Sequence, residues 1–155
     1  MMMSLYKGHL KKEENKFLGG TGYISNLISS FVKSVELVTL LGEKKEELRF
    51  IKNNLDKKIK LHYQVKKNSP TIVKTRYLDS YRNNKIMGIY KMNDEMISKI
   101  EEKKYIIKIK RLLKNSDLII VADYGHGLFS KAIRNEIENH IKKSDDFDKT
   151  VGIAV

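Results

Sequence analysis

Late in the sequence, five consecutive apolar residues, Leu118 to Ala122, are followed at once by a polar, glycine-rich loop, Asp123 to Gly127. An apolar run without alternation is typical of a strand covered on both faces, as in a parallel sheet flanked by helices. Ligands of open α/β sheets bind beyond the carboxyl ends of such strands, so the loop is a candidate ligand site. An ordinary strand-to-helix turn is the alternative interpretation.

The composition of this loop suits a polar ligand. Gly125 and Gly127 allow backbone torsions and close approaches that a side chain would forbid. The loop can therefore present Asp123 and His126, which two residues separate, to the same molecule. An aspartate accepts hydrogen bonds from sugar hydroxyls, and a histidine can donate hydrogen bonds or titrate near neutral pH.

The overall composition excludes several classes of protein. A chain of 155 residues has the size of one domain, and without cysteine it forms neither disulfides nor thiolate metal sites. No pair of histidines has metal-ligand spacing and the carboxylates are dispersed, so we predict no metal site. No apolar stretch approaches the roughly 20 residues needed to cross a bilayer. We expect a cytoplasmic protein with no membrane partner.

The net charge of +12 raises the question of nucleic-acid binding. The lysines are scattered along nearly every predicted helix face, which indicates a general lysine bias and a solvated surface. This distribution argues against nucleic acid as the main partner. The charge favours an anionic small-molecule substrate.

Helix and strand patterns alternate along the chain, which predicts the α/β class. Residues 1–17 are polar and unpatterned, and we expect them to be irregular. The strand at 59–65 alternates, which predicts one dry and one wet face. Two strands at 71–78 and 85–92 predict an antiparallel hairpin inserted among strand-helix units. The remaining predicted elements are helices over 23–32, 43–55 and 97–113, strands over 35–41, 118–122 and 151–155, and a helix capped by Ser130.

Two further segments suit anionic ligands. The glycine loop at residues 19–22 offers backbone N–H groups at the start of a helix, although it lacks the Gly-Lys-Ser/Thr ending of a Walker motif. Alternation along the strand at 71–78 places Lys74 and Arg76 on one face, where two cations could hold a phosphate or carboxylate. The alternative interpretation of residues 19–22 is a plain glycine-rich turn. The alternative for the strand at 71–78 is a strand that faces solvent.

The order of these pieces resembles the N-terminal half of carbohydrate kinases of the ribokinase (PfkB) family. Within that family it is most similar to the kinase domain of the bifunctional heptose-phosphate kinase/nucleotidyltransferase group. The most specific segments are Pro70 to Arg76 and Asp123 to Gly127, and the resemblance covers approximately residues 18–155. It implies an incomplete ribokinase-like fold, a mostly parallel sheet flanked by helices, with a β-hairpin lid over about 71–92.

The resemblance also assigns roles on the sugar side of such a site. The paired glycines would let the backbone approach the sugar, the lid cations would contact a sugar phosphate, and the late loop would contact the sugar. His126 stands where the heptose kinases usually have lysine. The matching positions are Gly19, Gly20, Lys74, Arg76, Asp123 and His126, with Gly125 and Gly127 as loop glycines.

The implied reaction is ATP-dependent phosphorylation of a sugar or sugar phosphate, with ATP and Mg²⁺ as cofactors. The family motif that supplies the catalytic base and the anion hole would lie downstream of Val155. We therefore expect no catalytic residue and no nucleotide-binding half here, and a truncated or split part that is inactive by itself. A final strand at an open edge leaves a homodimer or a complementary C-terminal half as possible partners. The competing hypothesis is a non-catalytic basic binding module for nucleic acid or for that protein half.

Overall fold

The computed structural model describes residues 14–79, 81–143 and 152–153. In these residues the protein is α/β, which confirms the predicted class. Residues 14–19 belong to no regular element, while the rest of the predicted irregular segment and most of the predicted strand at 151–155 lie outside the described residues. The elements are α1 Gly20–Ser29, β1 Val35–Gly42, α2 Leu48–Asn54, β2 Ile59–Lys66, β3 Val73–Leu78, β4 Lys85–Lys91, α3 Lys99–Leu113, β5 Ile120–Val121, α4 Lys131–Lys143 and β6 Gly152–Ile153.

Two of the three strand pairs in the described residues are parallel. β1 pairs with β2 in a register that runs from Val35 opposite Ile59 to Gly42 opposite Lys66, and α2 forms the crossover between them. β5 pairs with β6 in the same sense. β3 and β4 form the predicted antiparallel hairpin, with a register irregularity near its turn.

The largest core lies where α3 and α4 pack against β5. Tyr105 and Ile133 are almost completely enclosed, because isoleucines at every fourth position of α4 face α3. Ser130 starts α4 as predicted, since its hydroxyl accepts the N–H of Ile133 at 3.3 Å. The buried residues of this core are Ile97, Tyr105, Ile109, Leu113, Val121, Ile133 and Ile137.

The predicted coverage of the late apolar run on both faces is wrong. Leu118 and Ile120 are 49% and 40% exposed, whereas Val121 is buried and Ile119 packs against the core. The exposed residues alternate with the packed ones, because α3 and α4 cover one face of β5 in the part of the chain that is described. β5 is also shorter than predicted, with two residues in the ladder.

The wet face predicted for β2 is mostly wrong as well. Lys60 is exposed, but His62 and Gln64 are half-buried, and the strand ends at the buried Lys66. Helix α3 contributes to this burial, since the ammonium of Lys108 donates a hydrogen bond to the carbonyl of Tyr63 at 2.9 Å.

Helix α1 is held through small residues. Its buried residues are Ser25 and Ser29, while Ile24 and Ile28 are half-buried and Tyr23 and Leu27 are exposed. Both serine hydroxyls are satisfied within the helix, by the carbonyls of residues 21 and 26 at 2.8 and 2.7 Å. The predicted helix is confirmed, and its two isoleucines supply its apolar contribution to burial.

A capping box at the start of α3 connects this helix to the end of β2. The backbone N–H of Ser98 donates to the Glu101 carboxylate at 2.8 Å, and the backbone N–H of Lys67 donates to its other oxygen at 2.9 Å. Burial acts to raise the pKa of Glu101, but these hydrogen bonds outweigh it and hold the pKa below its ordinary value of 4.5.

Replacement of Ile133 by alanine tests the α3–α4 core. Ile133→Ala should lower the free energy of unfolding by about 2–5 kcal/mol, because it leaves a cavity in a fully enclosed position. Ile107→Ala removes the same atoms from a side chain that is 71% exposed, and should cost less than about 0.5 kcal/mol. Urea unfolding measures both, and equal losses would contradict the described core.

The lowered pKa of Glu101 predicts that the folded protein loses part of its stability in acid. Because its folded-state pKa is lowered, its stabilising contribution is complete above 4.5 and is lost as the pH falls through the folded value. Glu101→Gln should therefore lower stability at pH 7 and flatten the loss of stability between about pH 5 and 3. Thermal unfolding as a function of pH measures this. Glu138→Gln, at an exposed position of α4, should retain the wild-type profile.

Candidate functional site

Three segments that are distant in sequence meet around the loop Asp123 to Gly127. The side chain of Tyr124 covers the start of α1 so closely that a Cβ on Gly20 would lie 2.3 Å from the tyrosine hydroxyl. On the other side of the loop, the Lys74 ammonium of β3 lies 3.0 Å from Nε2 of His126. The structure therefore brings together Gly20, Lys74 and His126 by way of one loop.

Asp123 is buried at the start of this loop, and its carboxylate is already engaged. One oxygen accepts the backbone N–H of Gly125 at 2.9 Å, and the other lies 3.5 Å from the guanidinium of Arg134 on α4. These contacts fix the turn and neutralise the carboxylate. Asp123 therefore shapes the loop in this structure, and its contact with a sugar stays a prediction.

The two loop glycines meet different requirements. Gly125 has a φ of 72° and Gly127 a φ of 80°, which side chains rarely adopt. A Cβ at Gly125 would meet no atom of the described residues within 4 Å, whereas one at Gly127 would lie 1.9 Å from the carbonyl oxygen of Glu95. The Gly127 carbonyl also accepts the N–H of Ile97 at 2.9 Å. The loop is therefore packed against the β4–α3 connection, residues 92–98.

His126 links this connection to the hairpin. Its Nδ1 lies 2.7 Å from a carboxylate oxygen of Asp94, and its Nε2 faces the Lys74 ammonium. An ammonium can only donate, so Nε2 accepts and the proton resides on Nδ1, which donates to Asp94. Sequence reasoning missed Asp94, because no motif separates it from the neighbouring polar residues of the β4–α3 connection.

Asp94 is positioned by the buried Lys66. The Lys66 ammonium donates to the carbonyls of Asn93, at 2.7 Å, and of Glu95, on either side of Asp94. Burial lowers the pKa of Lys66, and the nearby carboxylates of Asp94, Glu95 and Glu101 oppose that effect. The connection is thus held by a buried cation at the carboxyl end of β2.

The hairpin presents the predicted basic face. Lys74 lies opposite Tyr90 and Arg76 lies opposite Gly88, so both cations project from one side of the ladder. Lys85 joins them and donates to the Tyr90 hydroxyl at 3.0 Å, which lowers the pKa of that phenol. Sequence reasoning found Lys74 and Arg76 through their alternation but missed Lys85 and Tyr90, whose side is set by the cross-strand register.

Two of the predicted site residues, Gly19 and Arg76, have no described contact with the Asp123 to Gly127 loop. Gly19 is the N-cap of α1 and has no side chain with which to cap this helix end. A Cβ at Gly19 would meet none of the described residues within 4 Å. Arg76 is exposed on the basic face and has no described contact with the loop.

The resemblance implies ATP and Mg²⁺ as cofactors. Within residues 14–79, 81–143 and 152–153, no group of three or more histidines or carboxylates converges to hold a metal ion. Over the same residues, no helix combines the length and apolarity that crossing a membrane requires.

The two loop glycines provide a matched test of this packing. Gly125→Ala should cost about 1–2 kcal/mol, the penalty of a left-handed residue alone. Gly127→Ala should cost about 2–5 kcal/mol, since the new Cβ also collides with the Glu95 backbone. Chemical denaturation distinguishes the two, and equal costs would show that the loop does not pack against the β4–α3 connection.

Comparison with known proteins points to one group. No family model matches the chain. It is 24% identical over 150 residues to the bifunctional protein HldE of a Nitratiruptor species, covering 93% of this chain and 32% of that protein. It is 27% identical over 141 residues to the bifunctional protein HldE of Aliarcobacter butzleri, covering 86% and 28%. The chain thus spans about a third of the length of these curated relatives, and its resemblance to the bifunctional HldE proteins is confirmed at low identity.

Proposed function

We propose that this chain forms the sugar side of a kinase that phosphorylates a heptose-like sugar or sugar phosphate with ATP. The observation that supports this most is the meeting of the α1 start, the basic hairpin and the Asp123 to Gly127 loop. The similarity to HldE proteins supports the same assignment. The chain spans about a third of the length of those proteins, and we propose the complete phosphorylation reaction on the basis of this partial match.

The chemistry of the three segments matches a phosphorylated sugar. The uncapped start of α1 offers backbone N–H groups to oxygen atoms of a ligand, in the positive field of the helix end. Lys74 and Arg76 supply positive charge, and a guanidinium can form paired hydrogen bonds with a phosphate. Tyr124, half-exposed above Gly20, offers a hydroxyl and a flat apolar ring to a sugar.

Binding and transfer are separate parts of this proposal. Phosphoryl transfer requires aligned ATP, Mg²⁺ and donors that stabilise the transferred phosphoryl group. We propose that the described residues contact the acceptor substrate and that a complementary half holds ATP and Mg²⁺. On this proposal the chain binds a sugar phosphate and shows no turnover by itself.

Arg76 tests the sugar-phosphate assignment. Arg76→Ala should weaken binding of a heptose 7-phosphate by about tenfold to a hundredfold, because a charge-assisted hydrogen bond to the phosphate is lost. Binding of the unphosphorylated heptose should hardly change. Isothermal titration calorimetry at pH 8 measures both. Arg82→Ala removes the same charge at the exposed hairpin turn and should leave both affinities unchanged.

The basic-module alternative predicts a different pattern. A net charge of +12 would stabilise the chain with a short DNA duplex in low salt, and that effect would disappear as salt rises. Thermal shifts with DNA, heptose 7-phosphate and heptose at moderate salt compare the two functions. Stabilisation by DNA alone would contradict the sugar site, and equal effects of Arg76→Ala on both sugars would remove Arg76 from it.

A further inference from the structure

The hairpin is attached to the rest of the protein by few polar contacts. Within the described part of the chain, two side chains of β3 and β4 form hydrogen bonds beyond the hairpin itself. Lys91 donates to Glu46 at 2.9 Å, and Lys74 contacts His126. Both contacts lie near the base of the hairpin, whereas Tyr81 at its turn is 90% exposed. The hairpin orientation therefore depends strongly on these two contacts.

The Lys74 contact exists only for one protonation state of His126. In the neutral ring, Nδ1–H donates to Asp94 and the lone pair of Nε2 accepts from the ammonium. In the imidazolium both nitrogens are donors. Nε2–H would then face the Lys74 ammonium at 3.0 Å, with two like charges and no acceptor between them.

We propose that Lys74, His126 and Asp94 form a proton-controlled latch of the hairpin, here called the lid latch; the regulatory role of this latch rests on the proposed function. When His126 is neutral, the latch holds the base of β3 against the loop. When His126 is protonated, Asp94 retains the imidazolium and Lys74 is released. The hairpin can then change its orientation. The Lys74 ammonium and the Nε2–H of the His126 imidazolium become available to an anionic substrate.

The surroundings of His126 support this role. Among the residues that the structure describes, Lys74 from β3 and Asp94 from the β4–α3 connection contact the ring. Tyr90 from β4 contacts Lys74 rather than the imidazole. From the other elements, Lys66 interacts with Asp94, while Asp123 is paired with Arg134 of α4. Thus one anion stabilises the protonated ring, and one cation is repelled by it.

The residue type at position 126 is essential to the proposal. A lysine at this position would carry a positive charge at all physiological pH values and could not accept a hydrogen bond from Lys74. Histidine is the side chain whose charge ordinarily changes between about pH 5 and 8. Histidine therefore makes a switchable contact where lysine would give a permanent repulsion.

The latch can be tested without any ligand, because the chain contains no cysteine. Tyr81→Cys at the hairpin turn and Asn135→Cys on α4 provide two exposed positions for spin labels. The distance distribution between the labels is measured by pulsed electron paramagnetic resonance from pH 8 to 5.5. Strands of six and seven residues form a lever of roughly 20 Å, so a rotation of about 15° shifts the turn by about 5 Å.

We expect a single distance at pH 8 and a second, displaced distance as the pH falls. In His126→Gln the pH dependence should be lost, and in Lys74→Met the displaced population should be present at every pH. His140→Gln, which changes a histidine of α4, should behave as wild type. A pH-independent wild-type distance, or the same transition in His126→Gln, would overturn the latch.

The proposed function is measured separately in the same labelled proteins, by titration with heptose 7-phosphate at pH 8 and at pH 5.5. Binding without a pH-dependent distance would remove the latch and retain the sugar site. A pH-dependent distance without binding at either pH would retain the latch as a property of the hairpin and remove the sugar site.

Discussion

The buried ammonium of Lys66 is the contact on which the geometry of the site depends. It lies at the carboxyl end of β2 and donates to two carbonyls of the β4–α3 connection. That connection packs against Gly127 and carries Asp94 to His126. A buried cation needs several acceptors to offset its desolvation, so the connection has little freedom to move away from it. One ammonium thus aligns the hairpin, the loop and the start of α3.

The parts of the fold that follow from local patterns could be predicted from the sequence. The isoleucines of α4 recur at every fourth position, and they form a buried face. Alternation along β3 placed Lys74 and Arg76 on one side, and the observed register agrees. These predictions succeeded because helical and strand periodicities depend on neighbouring residues and on the presence of a core.

The parts set by contacts between distant residues could not be predicted. Helix α2 begins at Leu48 rather than near Glu43, because Lys45 has a φ of 51°, outside the helical range. The preceding N–H groups of Gly42 and Glu43 donate to the segment at residues 69–71. The contact of Tyr124 with Gly20 joins positions about a hundred residues apart. Such polar and close contacts leave no periodic signal, and they determine how the candidate site is assembled.

The packing of α1 against the rest of the protein through buried serines affects how the site responds to its ligand. A helix that fully buries Ser25 and Ser29, exposes Leu27 and leaves its two isoleucines half-buried gains less from the hydrophobic effect than the α3–α4 core does. We expect α1 to open in local unfolding events well before the α3–α4 core, so its amides should exchange with solvent early. Since α1 contributes the Gly19 and Gly20 end of the site, a bound ligand would selectively suppress this opening. Ligand binding at the site and the local opening of α1 would then be thermodynamically coupled.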